Sequence, residues 1–142
     1  MAVKPSLLRA PRRSAHRERG VAALEFAIIV PLLIMLVFGI VQFSIAFNRK
    51  QGLHAAAREG ARLASLPQST QSEIVDRVED ALDGVVLDGT PTITVTPTAT
   101  RPCDQRSGQT VVVEVTSTDN LEIPLWGNPS VTLRGRGEFR CE

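Results

Sequence analysis

The sequence has no tyrosine, one tryptophan, two histidines and two cysteines among its 142 residues. His16 and His54 lie too far apart in the chain to suggest a metal centre, and neither cysteine sits in a metal-binding or nucleophile motif. With no nucleophile–base pair and no His/Cys/Asp/Glu constellation, no catalytic residue, metal ligand or cofactor can be assigned, and the enzyme class finds no support. Residues such as Asp104, Arg106 and Ser107, between Pro102 and Gly108, fit turn chemistry better. The one dense acidic group, Glu73, Asp76, Glu79, Asp80 and Asp83, lacks the loop spacing of a calcium site and reads as a solvated face. The length allows one domain at most beside any membrane segment.

Charge is present but unevenly placed. The net charge is +1. Residues 1–20 carry Lys4, Arg9, Arg12, Arg13, Arg17 and Arg19 against Glu18 alone, whereas the rest of the chain is mildly acidic. A basic tail can contact nucleic acid. Directly before an apolar run it reads first as a cytoplasmic topology signal, so no nucleic-acid partner is expected.

The apolar run is the dominant feature. Phe26 to Asn48 gives 23 residues without a charged side chain, spanning roughly 34 Å as a helix, enough for a hydrocarbon core of about 30 Å. Pro31 and Gly39 interrupt it, and membrane helices tolerate both. The denser basic flank places residues 1–20 in the cytoplasm and residues 49–142 outside, although Arg49, Lys50, Arg58 and Arg62 weaken the asymmetry. A secretory signal peptide cut after Ser44-Ile45-Ala46 is a rival, but the run is longer than the usual apolar core of such a peptide.

Glu25, just inside the apolar run, needs a reason. An acid at the start of a membrane helix is tolerable near the interface and suits the helix N-terminus. That account says nothing of Gly20-Val-Ala-Ala-Leu-Glu25-Phe26 as a whole. A cut after Gly20 makes Val21 the N-terminus and leaves its amine and the Glu25 carboxylate as opposite charges about one turn apart. Between staggered helices such charges also fix an axial register.

Three stretches together resemble the TadE-like family, pseudopilins of the type IVb tight-adherence (Tad/Flp) pilus system. Gly20-Val-Ala-Ala-Leu-Glu25-Phe26 is similar to a prepilin peptidase site. Ala27 to Phe43 is similar to the family's apolar helix with its proline. Ala55-Ala-Ala57-Arg58-Glu59-Gly60-Ala61-Arg62 is similar to the motif that follows the span. The resemblance covers roughly Arg17 to Ser65. It implies cleavage between Gly20 and Val21, with Glu25 and Phe26 in subunit registration, and a role in assembling a pilus for adhesion or secretion rather than catalysis. It further implies as partners the prepilin peptidase, other Tad pilins through the N-terminal helix, an inner-membrane assembly platform and the bilayer. The implied location is the bacterial inner membrane, with possible incorporation in an extracellular fibre. The alternative is an uncleaved single-pass anchor carrying a small extracytoplasmic binding domain.

Past the span, residues 49–66 continue as helix, with Leu53, Ala56, Ala57, Gly60, Ala61 and Ala64 on one small-residue stripe. That stripe faces another pilin helix, the protein's own sheet, or each along different parts of its length. Arg58 and Arg62 fit a solvated face or docking contacts. Pro67 ends the helix. Residues 67–142 read as a small ectodomain. Thr70-x-x-Glu73 is a capping box for a short helix to about Asp83, stopped by Gly84. β-branched alternation follows at Thr92–Thr96, Val111–Thr116 and Val131 to Phe139. The expected fold is α+β: a long pilin-like transmembrane helix over 21–48, a short helix and a three-stranded antiparallel sheet. Cys103 and Cys141 both fall outside the membrane in this topology, where an oxidising compartment favours a disulfide between them; two free thiols are the alternative.

Overall fold

The computed structural model describes residues 15–121 and 127–142, with side chains from Gly20 onward. Most of the basic leader, including Lys4, Arg9, Arg12 and Arg13, lies outside the described residues. The element order is α1 (Ala15–Ala64), α2 (Gln71–Leu82), β1 (Thr92–Thr96), β2 (Thr110–Asn120) and β3 (Ser130–Arg140). The expected α+β architecture is the one observed. The chain divides into two units, Met1–Val37 and Phe38–Glu142, with α1 passing through both.

The first unit is helical wherever it is described. Val21, Leu24, Phe26, Ile28 and Leu32 are more than half exposed. Pro31 lies inside the helix without ending it. Proline removes one backbone donor, a loss that membrane helices tolerate.

The second unit holds the core. β2 is central, paired antiparallel with β1 on one side and β3 on the other. Strict alternation along β2 buries Val111, Val113, Val115, Ser117 and Asp119 on one face, as the period of two in a strand requires. β2 and β3 run longer than the expected β-branched segments. The polar ends Ser117–Asn120 and Ser130 belong to the ladder because backbone pairing, not side-chain type, carries the strands to their tips.

The inner face of β3 presents Leu133, Gly135 and Gly137. A Cβ at Gly135 would collide with the Leu53 carbonyl, and one at Gly137 with the Ala57 carbonyl. The strand backbone therefore lies directly on the α1 backbone, which only glycine permits. The α1 surface is correspondingly small: Ala56, Ala57, Ala61 and Ala64 are fully buried. The stripe from Leu53 to Ala64 packs on the protein's own sheet and α2. α2 contributes Ile74, Val78 and Leu82 to the same core, with Val78 seated where a side chain at Gly60 would be.

Local chemistry fixes the ends. The Thr70–Glu73 capping box forms, with the Glu73 carboxylate accepting from the Thr70 amide at 2.8 Å. Gly84 takes a left-handed φ of 89° just past α2, the usual helix stop. α1 ends at Ala64, two residues short of the expected Leu66. Cys103 and Cys141 form a disulfide with Cα atoms 5.3 Å apart, clipping the end of β3 to the loop before β2. The final residue is also anchored, its amide donating to the Ser65 carbonyl.

Candidate functional site

Each sequence-derived candidate has a definite place. Gly20, Val21, Glu25 and Phe26 are exposed on α1, and the helix runs through the Gly20–Val21 bond unbroken. Pro31 and Gly39 are exposed further along it. Nothing lies within 4 Å of where a side chain at Gly20 or Gly39 would begin. The acidic residues of α2 are exposed, as expected of a solvated face. Among the described residues no group of three or more His, Cys, Asp or Glu side chains is placed to hold a metal ion.

The post-membrane motif divides between two faces of the helix. Ala57, Gly60 and Ala61 are buried against the sheet and α2. Glu59 sits between two cations, with Arg77 Nη2 donating to its Oε1, as does Arg62 Nη2 from 3.0 Å. Hydrogen bonds from Arg62 first, and then from Arg77, pull the Glu59 carboxyl down to about 2. Arg58 is exposed beside this network.

A second charged site went unrecognised in the sequence. Arg49, the first charge after the apolar run, lies on the turn of α1 that follows Gln42, Ile45 and Ala46. Its guanidinium donates to both carboxylate oxygens of Asp88, at 2.8 and 3.0 Å. This fork geometry gives strong, oriented pairs. Arg49 Nη1 also stands 3.3 Å from Asp119 Oδ2, at ion-pair range but without a hydrogen bond. Asp119 is essentially buried, with its side chain 3 % exposed. Its Oδ1 accepts from Ser117 Oγ and from the Asp88 amide. Asp88 Oδ2 accepts in turn from the Asn120 amide. The Arg49 hydrogen bonds, followed by that from Asn120, hold the Asp88 carboxyl below the usual carboxylate range. Asp88 hydrogen bonding raises the Arg49 pKa further. A signal for the site existed: Asp119 continues the inward parity of Val111, Val113 and Val115, so a strand reading extended by four residues would have placed an acid in the core.

Beside this cluster lies a cavity of about 190 Å³. Gln42, Ile45 and Ala46 line it on α1, Asp88, Asp119 and Asn120 supply its polar wall, and Val131 and Leu133 close it from β3.

The chain thus combines a helix long and apolar enough to cross a membrane with a small disulfide-clipped α+β unit packed on that helix's C-terminal half, and this defines a class of helix-anchored proteins. Residues 20–62 match the family model of TadE-like protein, so the resemblance holds over that stretch. No curated protein and no solved structure matches the chain.

Proposed function

We propose that this chain is a TadE-like pseudopilin that takes part in assembling a Tad/Flp pilus. It acts as a structural subunit and not as a catalyst. Its N-terminal helix crosses the inner membrane with residues 1–20 in the cytoplasm and residues 49–142 outside. Prepilin peptidase removes the leader after Gly20. Glu25 and Phe26 then set the register against the helices of other pilins, and an inner-membrane assembly platform is a further partner.

The observation carrying this reading is the family match over residues 20–62 on a helix most of whose apolar side chains from Val21 to Phe47 are left exposed. Such a surface requires lipid or other helices to cover it. Cleavage needs an extended substrate, so the helix must open locally at Gly20–Val21. Glycine is among the weakest helix formers and lowers that cost.

Deletion of the chain in its host tests the role. Loss of surface fibres, restored by the wild-type chain and not by Glu25→Ala, is the expected result. Wild-type fibre numbers in the deletion strain would contradict it and favour an uncleaved anchor with a separate binding task.

A further inference from the structure

We propose that the cavity beside Arg49 seats the headgroup of an outer-leaflet phospholipid bearing both a phosphate and a primary ammonium. The inference rests on the reading of residues 26–48 as a membrane span with residues 49–142 outside. Three observations carry it.

The first is position. Gln42, Ile45 and Ala46, which line the cavity, belong to the last two turns of the uncharged run, and Arg49 follows on the next turn of the same face. In a spanning helix this is the depth at which headgroups lie.

The second is charge. Arg49 faces two carboxylates, Asp88 and Asp119. The cluster holds one more negative than positive charge, with both signs present. A bare cation entering the cavity meets the Arg49 guanidinium, and a bare anion meets the two carboxylates. A zwitterion satisfies both, its ammonium on the aspartates and its phosphate on the guanidinium edge.

The third is an unused acceptor. Asp119 Oδ2 is buried and has no hydrogen-bond partner among the described residues. Arg49 Nη1 offsets its charge from 3.3 Å, but the oxygen's hydrogen-bonding capacity is left unfilled. A primary ammonium in the cavity has N–H groups to donate to the carboxylates of its polar wall, Asp88 and Asp119, whereas a quaternary trimethylammonium has none to give. The walls of Ile45, Val131 and Leu133 then accommodate the glycerol and upper acyl carbons. Phosphatidylethanolamine has this chemistry; phosphatidylcholine lacks the donor, and phosphatidylglycerol lacks the cation.

The test uses the full-length protein extracted in mild detergent. It is equilibrated with equimolar phosphatidylethanolamine, phosphatidylcholine and phosphatidylglycerol, and retained lipid is counted by native mass spectrometry. The expected result is retention of phosphatidylethanolamine about tenfold above the other two, the discrimination one charge-assisted hydrogen bond provides. Asp119→Asn should bring the ratio close to one. Should that variant fail to fold, the wild-type comparison with N-methylated phosphatidylethanolamines decides alone, retention falling stepwise as donors are removed. Equal retention of the ethanolamine and choline lipids overturns the proposal, as does preference for phosphatidylglycerol or a calcium adduct in place of lipid. A chain that does not partition into membranes at all overturns the span reading and this inference together; one that partitions without selectivity overturns the inference alone.

Discussion

Single residues decide how closely the strand and helix backbones approach. Gly135 and Gly137 let β3 rest on the carbonyls of Leu53 and Ala57, backbone atoms that cannot swing aside. Gly137→Ala should therefore destabilise the second unit by about 3 kcal/mol, at the upper end of overpacking costs, read as a lower melting temperature in detergent. Gly60→Ala meets a side chain instead, that of Val78. Its cost should fall when Val78→Ala is made with it, and simple additivity in a double-mutant cycle would show that the two do not touch. Arg49→Ala leaves Asp119 buried without its cation and should cost about 3 kcal/mol or more. Acid tests the carboxylates. Asp88 and Glu59 both titrate below their ordinary values when folded. Their contribution to stability is thus complete above the unfolded value of about 4 and disappears as pH falls through the folded value, about 2 for Glu59. Melting temperature should change little through these groups from neutral pH to about 5 and drop below about 4, with a shallower drop in Glu59→Gln.

Elements were legible where local chemistry agreed with tertiary packing. The α2 helix was readable from Thr70, Glu73 and Gly84 because capping and stop signals lie within the segment itself. Thr70→Ala should cost about 1 kcal/mol, a loss a helix without a functioning capping box would not show. β1 was readable from its threonine alternation. The tips of β2 and β3 were not, because Ser117, Asp119 and Ser130 have low strand preference and are held by the ladder between the two strands. The Arg49 cluster was hidden for the same reason. Asp88 and Asp119 stand 31 residues apart, and only the register of the sheet brings them to the end of the apolar run. The small-residue stripe of α1 was visible, but what covers it depended on tertiary structure: sheet and α2 cover Leu53 to Ala64, while the large apolar side chains before Asn48 stay open.

At the scale of the whole molecule, the chain is an apolar helix joined to a domain too small to hold a large core. The Cys103–Cys141 bond compensates by closing a loop with 38 residues of sequence separation, a stabilisation of about 4 kcal/mol on chain-entropy grounds. Reduction should lower the unfolding midpoint of the second unit accordingly; an unchanged midpoint would mean the bond is dispensable. The central claim, that this is a processed pilin-type subunit, is tested most directly by the intact mass of the protein from its host's membranes. The account predicts a mature chain beginning at Val21. A chain beginning at Phe47 would mean secretion through a cleaved signal peptide, and a full-length chain would mean a plain membrane anchor; either would contradict it.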